Sequence, residues 1–261
     1  MRHRHKIFLT SILFASSLIY FIDSSPIIAR ETYIAVAANF TGAMDSLASV
    51  FHEQSGNELT PVFGSTGKFF AQINNYAPFD AFFAADVRRP ELLETNGIAK
   101  LGSRFTYAVG KLVLWSPEPG LVDSAGAVLK NGDFRYVAIA NPELAPYGAA
   151  SKQVLEGLDL WQILLPRLVQ GENINQAYHY VISGNAEMGF IAFSQISNAA
   201  VKPSGSYWDI PGSLYAPIEQ QAVLLSDNPI AKTFFDFVKS ETARNIIRSF
   251  GYEIPDSLIV R

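Results

Sequence analysis

The chain has 261 residues, of which 20 are basic and 24 acidic, and it contains no cysteine. A net charge of −4 argues against nucleic acid or an anionic membrane surface as a partner. The lack of cysteine excludes disulfides, a thiolate nucleophile and a lipid-modified N-terminal cysteine, and it disfavours structural zinc.

Arg2, Arg4 and Lys6 precede an apolar run without charge over residues 7–22, and the small residues Ser24, Ser25 and Ala29 follow. This is the pattern of a secretory signal peptide over residues 1–29, with cleavage expected after Ala29 and export to the periplasm. The alternative is an uncleaved anchor, because the run approaches the roughly 17–20 apolar residues that span a bilayer. Losing Arg2, Arg4, Lys6 and Asp23 takes the net charge from −4 to −6. His3 and His5 belong to the leader and make no metal site.

Residues 34–38 read as a first strand. Met44, Leu47, Ala48 and Phe51 recur at helical spacing and mark one buried face of a helix that Gly56 can end. A second strand is expected over 59–63, then a helix burying Phe69, Phe70 and Ile73. Residues 80–84 are nearly continuously apolar, as a parallel strand covered on both faces should be, and 91–96 close a short helix before Gly97. The run 107–115, interrupted at Gly110, is long enough to cross between two lobes. A second series follows: a strand over 136–140, a turn over 141–148, a helix through Val154 and Leu155, a strand over 188–192 and a helix from Ser194. Residues 221–225 can cross back, and 231–250 read as one long amphipathic helix burying Phe234, Phe237, Val238, Ile246 and Ile247. The alternation predicts an α/β fold with mainly parallel sheets. The two crossings predict two lobes around a cleft, residues 30–112 with 221–261 and residues 113–220.

Two corners carry the chemistry. The first strand ends in Ala-Ala-Asn-Phe-Thr (37–41) and the second in Phe-Gly-Ser-Thr-Gly (63–67), each at the start of a helix. Small polar groups and free backbone N–H groups at the positive end of a helix dipole can hold an anion without a cationic side chain. Two such ends facing one another would suit a small oxyanion. The plainer reading of Asn39 is a helix cap, and Ser65-Thr66-Gly67 could be a cap and a tight turn. A nucleotide-binding P-loop is excluded, because Gly64 and Gly67 are separated by only two residues and Phe69 follows Lys68. Lys68 is expected on an exposed helix face, and Asp86 as a cap or loop anchor. Beyond the leader the chain has only His52 and His179, neither beside a Gly-x-Ser-x-Gly elbow, so a hydrolase is disfavoured.

Taken in order, Ala-Ala-Asn-Phe-Thr-Gly-Ala-Met (37–44), Phe-Gly-Ser-Thr-Gly-Lys-Phe-Phe-Ala-Gln-Ile (63–73) and Asp-Ala-Phe-Phe-Ala-Ala-Asp (80–86) are followed by Ile-Ala-Asn-Pro-Glu-Leu-Ala-Pro-Tyr-Gly (139–148). Gly-Glu-Asn-Ile (171–174), Glu-Met-Gly-Phe-Ile-Ala (187–192) and the tail over 243–255 complete the series. This chain resembles the periplasmic molybdate-binding proteins of bacterial ABC uptake systems over essentially its whole length after the leader. The resemblance implies a two-lobe periplasmic binding fold that closes over molybdate or tungstate with neutral donors and no direct metal ligands. It also implies no cofactor and an ABC permease in the inner membrane as partner; a monomer is expected. Carried over by position, Asn39 with the backbone of Ala38, and Ser65 or Thr66, would come from one lobe, and Tyr147 with the backbone N–H of Ile174 from the other. Some relatives carry Ser at the place of Asn39 and Tyr at the place of Ala192, so here Tyr147 would supply the phenol. Other ligands that stay open are tungstate specifically, sulfate, thiosulfate, phosphate or a small organic anion. Glu91, Glu94 and Glu143 are candidate permease contacts, with a solvated surface as the plainer reading.

Overall fold

The computed structural model describes residues 31–197 and 204–255; the expected leader and cleavage site lie outside them. The first sheet has the strand order β2-β1-β3-β10-β4 and the second β7-β6-β8-β5-β9. In the first lobe these are β1 (Tyr33–Ala37), β2 (Thr60–Gly64), β3 (Ala81–Phe83) and β4 (Phe105–Gly110), with helices α1 (Thr41–Ser55), α2 (Thr66–Asn74) and α3 (Arg88–Thr95). The second lobe holds β5 (Leu112–Ser116), α4 (Val128–Asn131), β6 (Val137–Ala140), α5 (Pro146–Gly157), α6 (Trp161–Leu164), β7 (Leu168–Gly171), α7 (Ile174–Ile182), β8 (Met188–Ala192) and β9 (Ser206–Asp209). The chain then returns through β10 (Ile218–Leu224) and continues into α8 (Pro229–Val238) and α9 (Glu241–Ser249).

The sheets expected to be mainly parallel are mixed. β1 pairs in parallel with β2 and β3, and β6 with β7 and β8. The strands next to the crossings run the other way: β10 is antiparallel to β3 and β4, and β5 to β8 and β9. The run 107–115 divides at Lys111, so that Gly110 pairs with Ile218 in the first sheet and Leu112 with Ala192 in the second. Residues 218–220 also belong to the first sheet. By sheet membership the lobes therefore part at Lys111 and again between Asp209 and Ile218, against the expected 112/113 and 220/221.

Two further expectations are corrected. The stretch 231–250 is two helices, because Ser240 caps a new one by accepting from the Ala243 N–H at 3.3 Å. The apolar stripe has no large side chain between Val238 and Ile246, which is where the axis breaks. The helix expected from Ser194 is a 3-10 turn, Phe193–Gln195, held by Gln195 Oε1 accepting from the Ala192 N–H at 2.9 Å.

Both faces of the first sheet are buried. Val36, Phe83 and Tyr107 pack with Phe40, Phe51, Phe234 and Phe235 under α1, α8 and α9, and Ala35 and Phe82 pack with Phe69 and Leu93 under α2 and α3. The all-apolar strands β6 and β8 centre the second core. Helix α5 starts at Pro146, whose fixed φ and missing N–H suit a first helical position. It lies so close to β6 that a Cβ on Gly148 would come within 2.3 Å of the Ala140 carbonyl oxygen. Gly148→Ala is therefore expected to push α5 off the sheet and cost roughly 1–3 kcal/mol as overpacking. Urea denaturation should show a lower midpoint at unchanged slope; an unchanged midpoint would contradict the close contact.

Candidate functional site

In each lobe the parallel strands deliver the chain to one rim, where helices begin. β1 passes through a 3-10 turn, Ala38–Phe40, into α1, and β2 leads through Ser65 into α2. From the other lobe come the starts of α5 at Pro146 and α7 at Ile174. These four corners and Ala85 line one small cavity between the lobes. Ala38, Asn39, Ser65, Thr66, Tyr147 and Ile174 are all brought to it, and no residue of its lining carries a formal charge.

A helix N-terminus is equivalent to roughly +0.5 charge, so four together present about +2. Part of the first-turn N–H set is already used. Asn173 Oδ1 accepts from Asn175 and Gln176 at 3.0 and 3.1 Å, and the Ser65 hydroxyl accepts from Lys68 at 3.3 Å. The N–H groups of Thr66 and Ile174, first in their helices, have no intrahelical acceptor by geometry.

The side chains divide by what they have already given. Thr66 Oγ1 accepts from the Ala85 N–H at 3.1 Å. Both the Ser65 and Thr66 hydroxyls thus serve as acceptors, and neither gives its proton to a described residue. Tyr147 is buried, and burial holds its phenol well above the usual value near 10. Its oxygen accepts from Gln220 Nε2 at 3.4 Å.

Asn39 is not the helix cap that the plainer reading made it, since neither the 3-10 turn nor α1 has a side-chain cap. The one proton of Tyr252 goes to the Asn39 backbone carbonyl at 2.7 Å or to Ser194 Oγ at 2.9 Å, so towards the Asn39 amide at 3.0 Å its oxygen accepts. The second amide hydrogen goes to Gln220 Oε1 at 2.8 Å. Both side-chain N–H donors of Asn39 are therefore committed within the protein, leaving the cavity its backbone N–H and its Oδ1 acceptor.

The cleft is closed. The Gly67 N–H donates to the Leu144 carbonyl at 2.8 Å, Asn175 Nδ2 to Thr41 Oγ1 at 3.1 Å, and Ser194 Oγ to the Asn39 carbonyl at 3.0 Å. Arg89 pairs with Asp86 and reaches the Glu143 carbonyl at 3.0 Å. Lys68, expected on an open helix face, pairs across the cleft with Glu172. That pair is about half exposed at Lys68 and adds at most about 1 kcal/mol. Asp86 anchors its loop as expected, accepting from the Arg89 N–H at 3.0 Å.

Sequence reasoning missed Asn173, Gln220, Tyr252, Tyr107 and Ser194. None of these left a clear signal: Gln220 lies between the polar Glu219 and Gln221 of β10, and only the structure shows it fully buried. Glu91 and Glu94 flank Arg104 at 3.8 and 3.1 Å. His52 meets the Asn57 carbonyl at the end of α1, and neither it nor His179 lines the cavity. Among the described residues no group of three or more His, Asp or Glu could hold a metal ion.

Two lobes on a double crossing, closed over a small uncharged cavity at converging helix ends, define a solute-binding protein. Residues 32–253 match the family of bacterial extracellular solute-binding proteins. The chain is 50% identical to the molybdate-binding protein ModA of Azotobacter vinelandii over 86% of this chain and 90% of that one. It is 47% identical to ModA of Rhodobacter capsulatus, over 87% and 90%. The solved structure of the Azotobacter vinelandii periplasmic molybdate-binding protein superposes with a TM-score of 0.84 at 44% identity, covering 86% of this chain and all of that one. The chain belongs to the bacterial extracellular solute-binding proteins, within the group of periplasmic molybdate-binding proteins.

Burial raises the phenols of Tyr107, Tyr147 and Tyr252 above their usual value. Each folded-state value lies above the unfolded one near 10, so their contribution to stability is complete below about pH 10 and is lost as pH rises further. Ultraviolet titration should show these phenols ionising only together with unfolding. Phenolate formation by all tyrosines while the fold persists would contradict it.

Proposed function

We propose that this chain captures molybdate in the interlobe cavity, outside the cytoplasm, and presents it to an ABC importer as a monomeric receptor rather than an enzyme. The observation that carries the reading is the convergence of four helix starts, with hydroxyls and backbone N–H groups but no cation, on one small closed cavity. The names of its relatives point to the same ligand.

The donors would be the Ser65, Thr66 and Tyr147 hydroxyls and the backbone N–H groups of Ala38, Asn39 and Ile174. A dianion entering a closed cleft gives up its hydration, and each hydrogen bond to a charged acceptor returns about 1.5–3 kcal/mol net. Donors that outnumber the one free side-chain acceptor, Asn39 Oδ1, favour a fully deprotonated ion, because each protonated oxygen would need an acceptor of its own. Tungstate has the same shape and charge and should bind too. Sulfate has shorter bonds, so a cavity fixed by closure selects against it by size.

Calorimetry of residues 30–261 should give one-to-one, submicromolar binding of molybdate and tungstate and none of sulfate or phosphate. Silence from molybdate would sink the reading. Tyr147→Phe should weaken molybdate binding by about 1.5–3 kcal/mol, the value of one hydrogen bond to a charged group; unchanged affinity would remove Tyr147 from the site.

Closure itself is testable at Gly67. A Cβ there would lie 2.9 Å from the Leu144 carbonyl oxygen and 3.0 Å from its Cα, both backbone atoms that cannot step aside. Gly67→Ala should leave each lobe folded but disfavour the closed state, weakening binding by about 1–3 kcal/mol. Small-angle scattering would show a larger ligand-free radius; an unchanged affinity would mean that the α2–Leu144 contact does not limit closure.

A further inference from the structure

Gln220 sits near the start of the returning strand β10, between the lobes, and is fully buried. Its two amide atoms face different lobes. Oε1 accepts from Asn39 Nδ2 at 2.8 Å and from Tyr107 Oη at 3.1 Å, both in the first lobe. Nε2 points to Tyr147 Oη of the second lobe at 3.4 Å.

The orientation of this amide follows from its neighbours. The Tyr252 proton goes to the Asn39 backbone carbonyl or to Ser194 Oγ, neither of them on the Asn39 side chain, so Asn39 presents Nδ2 to Tyr252. The same nitrogen faces Gln220, which must therefore offer its oxygen there. That leaves Nε2, a donor only, on the side of Tyr147. A phenol oxygen that accepts from an amide turns its own proton away from that amide, and Tyr147 also lines the cavity.

We propose that Gln220 is a positioning residue for ligand capture: by donating to the Tyr147 oxygen it aims the Tyr147 proton at the bound oxyanion. It does not line the cavity itself and acts through Asn39 and Tyr147, which do. Because it joins Asn39 to Tyr147 across the cleft, the aim is set only when the lobes are closed. The inference rests on molybdate capture at this cavity.

The test is a double-mutant cycle on the full mature chain, read by calorimetry with molybdate, with melting curves of each ligand-free variant to verify folding. Gln220→Met removes the donor, and Gln220→Glu keeps an acceptor for Asn39 and Tyr107 while replacing the donor with a group that takes the Tyr147 proton. With Tyr147 present each should weaken binding about tenfold or more. In the Tyr147→Phe background, where there is no proton to aim, each should cost at least about fivefold less. The carboxylate of Gln220→Glu can take the Tyr147 proton only where Tyr147 is present, so the difference between backgrounds still reports the phenol, and this second variant keeps the test alive if the first does not fold. Equal costs in the two backgrounds, or no cost, with wild-type binding intact, would overturn the positioning role and leave molybdate capture standing. Wild-type protein that ignores molybdate would overturn both.

Discussion

An anion such as molybdate can leave water only if fixed donors replace its hydration, and the interlobe cavity of this fold is lined by groups without formal charge. The arrangement depends on four helix starts meeting at one point. Each start contributes roughly half a unit of positive potential and one or two N–H groups without intrahelical partners. The strand order follows from that need: β1 and β2 in one sheet, and β6 and β7 in the other, run in parallel and so open their carboxyl ends onto the same cleft. The net negative charge of the protein leaves local dipoles as the attraction such a cavity has to offer an anion.

Closure brings the two halves together, and the contacts that hold it are mostly backbone and amide groups. The Gly67–Leu144 hydrogen bond needs a residue without a side chain at 67. The Thr41–Asn175 and Asn39–Ser194 bonds tie α1 and its entry turn to the second lobe. Exposed ion pairs at the rim, such as Lys68 with Glu172, add little by comparison. A small set of neutral, directional bonds gives a closed state that a ligand can tip, which a large apolar interface would not.

The buried network of Asn39, Gln220, Tyr107, Tyr147 and Tyr252 links the cavity to the crossing strands. Donor and acceptor roles along it follow in turn from the Tyr252 proton, which the Asn39 backbone carbonyl or Ser194 Oγ receives. Such a network fixes orientation as well as position, and orientation matters for a hydroxyl that must give rather than take.

Much of this was legible in the sequence. The apolar runs of β1, β3, β6 and β8, the periodicity of α1, and the break at Gly110 within a long strand-like run determined an α/β fold with a crossing near that point. The small polar residues after β1 and β2 marked two corners of the cavity, and the resemblance supplied Tyr147 and Ile174. The mixed pairing of the sheets was not legible, since strand direction depends on where β10 and β5 insert and not on their own composition. Nor was the break at Ser240, because helical spacing recurs on both sides and the gap between Val238 and Ile246 holds no Gly or Pro to mark it. Only the tertiary structure could decide what Asn39 does, because its donors are spent on Gln220 and Tyr252, 181 and 213 residues away. A hydrogen bond is assigned by which atom in space still has a proton to give, and local sequence does not encode that for partners so distant along the chain.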